Sequence, residues 1–102
     1  MKKATISWTS PVVRELGEVF DPATELLHME VHLSADGGVN FGLLDNVVFP
    51  QESLPQADLI PGEWIFRLIA VDVDNEPSAP VDTSVQVLSA PGGPTNIQIV
   101  LN

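Results

Sequence analysis

The 102-residue chain contains no cysteine and no tyrosine, and only four of its residues are lysine or arginine. The absence of cysteine excludes disulfides, thiolate catalysis and cysteine-ligated metals. With 14 acidic residues against the four basic ones, the formal net charge is −10 at pH 7. Nucleic-acid binding needs a cluster of cationic side chains to replace phosphate counterions, so no such partner is expected. An anionic membrane surface is disfavoured for the same reason.

Long apolar runs are missing as well. No segment approaches the roughly 18 consecutive apolar residues that a membrane span requires. Residues 1–3 imitate the start of a signal peptide, but the polar residues between Thr5 and Ser10 leave no apolar core behind them. The sequence also lacks a glycine-rich phosphate loop and a clustered Ser, His and Asp set. We therefore expect a protein that is not an enzyme and uses no cofactor.

What the sequence does contain is apolar alternation with a period of two, interrupted by nine prolines and seven glycines. The clearest predicted strand has alternating apolar residues at Leu27, Met29, Val31 and Leu33. It leads into residues 35–38, where Asp-Gly supplies the positive φ angles of a tight hairpin. The returning strand is predicted to begin at Val39.

Further strands are predicted over residues 4–9, 64–70, 83–88 and 97–101, and no segment has a convincing helical pattern. Residues 44–58 are ambiguous, because Pro50 and Pro55 confine any strand there to short or edge pieces. Short strands separated by turn signals predict an all-β chain, with residues 1–102 forming one antiparallel β-sandwich. The predicted core residues are Ile6, Trp8, Met29, Val31, Trp64, Phe66 and Leu68.

Three segments resemble fibronectin type III domains, which have an immunoglobulin-like fold. They are ATISWTSP (residues 4–11), LLHMEVHLSADGG (residues 26–38) and LIPGEWIFRLIAVDVDNEPSAPV (residues 59–81). The resemblance as a whole spans roughly residues 4–88, with residues 44–58 unmatched. The family usually has tyrosine at the position of Trp64, where the hydroxyl ties the strand to the preceding turn. An indole ring can fill that volume and donate a hydrogen bond through its own N–H.

The order of segments departs from this family. Its domains normally begin with a short proline-led strand, and Trp8 comes too early in the chain to allow one. Residues 89–102 resemble that missing strand, preceded by a linker. Residues 89–94 reach at most about 20 Å, whereas the domain is about 30–35 Å long.

The C-terminal strand is therefore expected either to turn back onto its own sheet or to cross into a neighbouring molecule. A strand donated to a neighbour is β-augmentation, in which main-chain hydrogen bonds drive assembly. The candidate interaction residues are Ile97, Ile99 and Leu101. Both arrangements remain open at this point, and the second would make the chain a homo-oligomer or attach it to another protein.

A small free-standing domain of this type resembles immunoglobulin-like proteins on bacteriophage particles. The resemblance implies a structural protein of the virion, assembled in the host cytoplasm as a capsid decoration or a tail accessory. Its partner would be a capsid or tail protein. The alternative is a binding or spacer module of a larger bacterial extracellular or carbohydrate-active protein, which would place it outside the cell or on its surface.

An acidic loop is the one candidate metal site, with Asp72, Asp74 and Glu76 at alternate positions. Calcium prefers several oxygen ligands of this kind, but the spacing lacks the glycine and distal glutamate of an EF-hand loop. A solvated acidic loop is the simpler interpretation, with Asn75 in a left-handed conformation.

Two histidines on one predicted strand form the other candidate group. His28 and His32 lie about 13 Å apart along the strand, too far to share one metal ion. With Glu30 between them, they are expected to occupy an exposed sheet face. Arg67 is expected to form a surface ion pair with a neighbouring acid.

Overall fold

The computed structural model describes residues 2–96 and 98–101, with the side chains of Lys2 and residues 56–58 outside the description. The described part folds into two antiparallel sheets, one in the order β1-β4 and one in the order β3-β2-β5-β6. Its elements are β1 (Lys2–Ser7), α1 (Pro22–Glu25), β2 (Leu26–Ser34), β3 (Gly42–Val47), β4 (Ser53–Leu59), β5 (Gly62–Asp72) and β6 (Val81–Val87). The chain is therefore all-β with two antiparallel sheets, in agreement with the sequence prediction.

The two sheets share one apolar core, as in a β-sandwich. Ile6 and Leu59 come from the two-stranded sheet, and Phe66 and Val87 come from the four-stranded sheet. Leu59 is only 1% exposed, so it is sealed between the sheets. Among the predicted core residues, Ile6, Met29, Val31 and Phe66 are buried, whereas Trp8, Trp64 and Leu68 are half-buried against the core cluster.

The segment that the sequence left ambiguous contains β4, and Pro55 lies inside this strand. Antiparallel ladders alternate between bonded and non-bonded pairs. The Trp8 amide donates to the Glu52 carbonyl at 3.0 Å, so Trp8 and Glu52 form a bonded pair. Thr5 and Pro55 lie opposite each other three positions further along the ladder, and the alternation therefore makes them a non-bonded pair. The nitrogen of Pro55, which carries no hydrogen, therefore faces the unpaired edge of β4. This position agrees with the predicted edge strand.

The connection between β2 and β3 is longer than the predicted tight hairpin, and the returning strand begins at Gly42 rather than Val39. The Asp36 carboxylate causes the difference, because it accepts hydrogen bonds from the Asn40 amide at 3.0 Å and from Asn40 Nδ2 at 2.9 Å. The Ser34 hydroxyl donates to the same carboxylate at 2.7 Å. These bonds close a wider loop, within which Gly37 and Gly38 have positive φ angles.

A short helix, which the sequence analysis did not predict, follows a small reversal of the chain. The reversal is closed by an antiparallel bridge between Val13 and Val19, with Gly17 at a φ of +93°. Asp21 then caps α1, since its carboxylate accepts from the Ala23 amide at 3.1 Å, and Pro22 occupies the first turn. Four residues are too short for an apolar periodicity to appear in the sequence.

The C-terminal segment differs most from its sequence prediction. Residues 88–96 and 98–101 contain no strand and are exposed, so Ile99 and Leu101 pair with neither sheet; Ile97 lies outside the described residues. The molecule measures 78 × 27 × 22 Å, whereas an 11-residue strand such as β5 spans only about 36 Å. The segment therefore extends away from the sandwich, and we call residues 88–101 the tail.

Candidate interaction surface

The inner face of β6 is left uncovered along most of its length. Val81, Val85 and Val87 point to the same side as the core residues of β5, because Leu68 pairs with Val81 and Trp64 pairs with Val85. Val87 is 7% exposed, Val85 is 40% exposed and Val81 is 67% exposed. The opposing sheet has only two strands among the described residues, β1 and β4, and Val81 and Val85 stay exposed. One face of the sandwich is therefore incomplete beside β1.

The edge of β1 next to this gap has open hydrogen-bonding groups. Among the described strands, β1 pairs only with β4. Because bonded and non-bonded pairs alternate and Trp8 is bonded to Glu52, the backbone groups of Thr5 and Ser7 point away from β4. An unpaired edge of this kind is a template for another strand.

A cleft of about 320 Å³ connects the open edge to the uncovered face. Its walls come from the beginning of β1 and the end of β6, and Leu59 of β4 also lines it. The lining residues are Lys3, Ala4, Leu59, Val85, Gln86, Val87 and Leu88. The cleft is mainly apolar at the side-chain level, so a strand placed there would add apolar side chains to the existing core.

The tail carries the side chains that suit such a cleft. Ile99 is 84% exposed and Leu101 is 91% exposed, and they alternate with Gln98 and Val100. No charged residue or histidine occurs anywhere in residues 83–102, although the whole chain has 18 lysine, arginine, aspartate and glutamate residues. An apolar, uncharged segment can leave water at little electrostatic cost.

Sequence reasoning identified the tail but missed the surface that could receive it. The pattern of β6 predicts alternating inward residues, and inward residues are normally covered. Only the number of strands in the opposing sheet decides whether Val81 and Val85 are covered or exposed, and no local pattern encodes that number. The available signal was the order of the segments, because the pattern that resembles the family's first strand lies at residues 89–102.

The acidic loop forms a structural turn around Asp72. Asp72 Oδ1 accepts from the amides of Asp74 and Glu76, both at 2.9 Å, and Arg14 Nη1 donates to Oδ2 at 3.2 Å. The Glu76 amide and then Arg14 lower the pKa of Asp72 below its ordinary value. Asn75 has a φ of +64°, as its sequence position predicted. Within the described residues, no three histidine, cysteine or carboxylate side chains are grouped to hold a metal ion.

The two histidines flank Glu30, which contacts both of them. His32 Nε2 lies 3.0 Å from Glu30 Oε1, and His28 Nε2 lies 3.6 Å from Glu30 Oε2. The hydrogen bond from His32 is the main reason why the pKa of Glu30 is lowered. The three side chains are half-buried rather than exposed as expected, because neighbouring strands flank β2 on both sides.

A second cleft of about 320 Å³ lies between the reversal at residues 11–20 and the acidic loop. Arg14 lies beside it, with Nη2 at 3.3 Å from Glu25 Oε1 and its guanidinium 4.9 Å from the centre of the Phe20 ring. Since Arg14 already pairs with Asp72 and Glu25, its charge is compensated within the fold. The ion pairs of Arg14 hold the reversal against the sandwich beside this cleft, so we assign the cleft a structural role.

Trp64, two phenylalanines and Arg67 make contacts that stabilise the fold. Trp64 Nε1 donates to the Ile60 carbonyl at 2.9 Å, which ties β5 to the preceding turn as an indole was expected to do. Phe20 is buried, and Phe41 is half-buried beneath the Arg67 guanidinium at 4.0 Å. Arg67 Nε donates to Asp82 Oδ1 at 2.8 Å, which confirms the predicted ion pair.

The described residues include no helix long and apolar enough to cross a membrane. A scan against protein-family models found no match for the chain, and a search of curated proteins found no similar sequence.

Proposed function

We propose that the chain is a non-catalytic structural and interaction module of the fibronectin type III kind, and that its tail is the segment through which it assembles. One observation carries this proposal: the described residues of an apolar, alternating tail are exposed, although the same molecule has an uncovered apolar face. Exposed apolar surface of this kind marks an interaction site. Main-chain pairing of an extended segment with a sheet edge is an established mode of recognition.

The sheet order supports the fold type. In immunoglobulin-like sandwiches the first strand lies beside the second strand in the same sheet. If β1 corresponds to the second strand of the family, as the ATISWTSP resemblance implies, the vacant position is the open edge of β1. The position that is vacant beside β1 is therefore the position of the strand whose sequence pattern occurs in the tail.

The charge distribution supports assembly through the tail rather than through the body of the domain. Every charged residue lies before residue 83, and the net charge of −10 makes two copies repel each other. The tail brings no charge of either sign to a contact. It can therefore approach an acidic surface that another part of the same chain could not.

The experiment is to measure the solution mass of the full chain and of a chain ending at Leu88, over a wide range of concentration. We expect the full chain to form oligomers in steps of 11.0 kDa and the shortened chain to remain monomeric. The free energy of unfolding of the monomer should change by less than about 0.5 kcal/mol, because an exposed segment without partners contributes little. A matched control is the full chain with Ala90→Ser, which keeps the tail.

Three outcomes contradict the proposal. If both chains are monomeric at every concentration, the tail does not drive self-assembly. If both form the same oligomer, the association uses another surface. A shortened chain that unfolds would show that the tail is an ordinary strand of its own sandwich.

For the biological setting we propose a virion component, either a capsid decoration or a tail accessory protein. The support is the resemblance to small phage proteins together with a geometry suited to repeated copies. Detection of the chain by mass spectrometry in purified particles from its source would support this setting. A coding sequence joined to a catalytic domain would instead favour the spacer or binding module of an extracellular or carbohydrate-active protein.

A further inference from the structure

We propose that the tail of one copy forms the missing strand of the next copy, with residues 98–101 pairing antiparallel to β1 of the acceptor. This inference rests on the proposed assembly role and adds to it the receptor, the direction and the register. The occupant of the cleft between β1 and β6 is then a second copy of this chain. The assembly is head-to-tail.

The direction follows from where the strands begin and end. Lys2 pairs with Leu59, and Gly62, three residues after Leu59, pairs with Val87. The beginning of β1 and the end of β6 therefore lie at the same end of the sandwich. A strand antiparallel to β1 has to enter at the other end, beside Ser7. The chain's own tail leaves from the end where β1 begins, so within one molecule it would have to turn back and lie parallel to β1.

The observed path of the tail agrees with donation to a neighbour. The 14 residues from 88 to 101 span about 45 Å when extended, and the 78 Å long axis of the molecule requires such an extended segment. The linker contains Pro91 and Pro94, which favour extended geometry, and between them Gly92 and Gly93, which allow it to bend. The apolar residues of the tail lie away from their own cleft and are exposed to another copy.

The register follows from the alternation of both strands. Ile6 is buried on the inner face of β1, and Ala4 and Trp8 pack on the same side. Residues directly opposite in an antiparallel pair share a face. In the proposed register Leu101 lies opposite Ala4, so that a large side chain is placed beside a small one that lines the cleft. Ile99 then lies opposite Ile6.

The same register satisfies the open backbone groups. Thr5 and Ser7 present their N–H and C=O groups at the free edge, and they come to lie opposite Val100 and Gln98. Those positions become bonded pairs of the new ladder. The inward residues of the donor add to the side of the core where Val85 is uncovered. The opposite edge of the small sheet is a poorer receptor, because Pro55 has no N–H to offer there.

A contact of this kind joins two different surfaces of the same molecule. Such heterologous contacts generate rings when the rotation closes and open filaments when it does not. We therefore expect a series of open oligomers of increasing size, each of which has one free tail and one free cleft at its ends. A closed symmetric dimer through two identical patches is not expected.

The absence of cysteine allows a direct test by disulfide trapping. Thr5→Cys and Val100→Cys are introduced into separate chains, at exposed positions on the outer face. In the proposed register their Cα atoms are about 5.5 Å apart, within the range of a disulfide. Mixing the two chains under mild oxidation should give a covalent dimer at least ten times faster than a mixture of Thr5→Cys with Val39→Cys, a control at an exposed loop position.

The chain that carries both Thr5→Cys and Val100→Cys separates donation to a neighbour from folding back. Donation produces a ladder of covalent multimers on a non-reducing gel. A tail that folds back produces an oxidised monomer and overturns the inference. Gln98→Cys in place of Val100→Cys tests the register, because a shift of the donor by two residues would bring residue 98 opposite Thr5.

Failure of this inference is distinguishable from failure of the proposed function. If removal of the tail abolishes assembly but the Thr5 and Val100 pair shows no rate advantage over the control, the tail docks on a different surface and the strand assignment is overturned. If the full chain never assembles, the assembly role itself fails. Val85→Asn provides a second test at the receptor, since it should weaken assembly at least tenfold while leaving the tail intact.

Discussion

At the scale of single residues, carboxylates that accept several hydrogen bonds hold the loops of this acidic protein. Asp36 accepts from the amide and the side chain of Asn40 and from Ser34, and these bonds, the Asn40 backbone amide first, lower its pKa from 3.8 to about 2. Glu52 Oε2 similarly accepts from the Ser10 amide at 2.6 Å, which lowers the pKa of Glu52. Carboxylates thus organise turns where the chain has few bases to pair with them.

The lowered pKa of Asp36 predicts a contribution to stability that depends on pH. Because the folded-state pKa is below the unfolded value, the contribution is complete above about pH 4 and is lost as pH falls through about 2. Asp36→Ala should therefore lower the urea midpoint at neutral pH and flatten its dependence on pH between about 4 and 2. Asn40→Ala, which keeps the backbone donor, should show an intermediate slope. Parallel curves for Asp36→Ala and the unchanged chain would refute this role.

At the scale of elements, Arg14 fastens the reversal at residues 11–20 to the rest of the molecule. Its guanidinium joins Asp72 of β5 and Glu25 of α1, and it lies over the Phe20 ring. The reversal itself is closed by few backbone bonds, from the Arg14 amide to the Glu18 carbonyl and from the Phe20 amide to the Val12 carbonyl. A segment with so few bonds depends on its side-chain anchor.

Arg14→Ala is therefore expected to open the reversal locally without unfolding the sheets. Hydrogen exchange at the Arg14 and Phe20 amides should become at least several times faster, while exchange in β2 and β5 stays unchanged. Arg67→Ala is the matched control, since it removes an arginine that also pairs with an acid and covers an aromatic ring, but on β5, where its acidic partner Asp82 belongs to β6. Equal effects of both substitutions on the reversal would contradict a local role for Arg14.

At the scale of the whole molecule, the negative charge of each copy opposes the proposed apolar contact between the tail of one copy and the cleft of the next. Each copy carries a net charge of −10, so the bodies of neighbouring copies repel across the contact. Salt screens this repulsion over a distance of about 10 Å at 0.1 M ionic strength. The proposed contact between the tail and the cleft is apolar, so the same screening would not weaken it.

Self-association should consequently become several times tighter as the salt concentration is raised, which is the opposite of an assembly held by ion pairs. Sedimentation velocity at low and moderate ionic strength measures this directly. Leu101→Asn, which keeps the charge unchanged, should stay largely monomeric under both conditions. Weaker association at high salt would show that charged side chains, and not the tail, form the contact.

The class of fold and most of its strands were predictable from the alternation of apolar residues. Alternation predicted β2 and the apolar pattern predicted β5, and both pair across the centre of the larger sheet. The positive φ of Asn75 and the hydrogen bond of Trp64 were also predictable, because each depends on neighbours close in the chain. Local sequence encodes such features directly.

Which apolar residues lack a cover is a property of the tertiary structure. Val81 and Val85 alternate like core residues, yet they are exposed, and the opposing sheet has only β1 and β4 among the described residues. The tail likewise has the pattern of a strand, but it leaves the sandwich at the end from which an antiparallel partner of β1 cannot start. Burial and pairing depend on the number and direction of distant strands, and these are properties of the assembled sheets rather than of any segment.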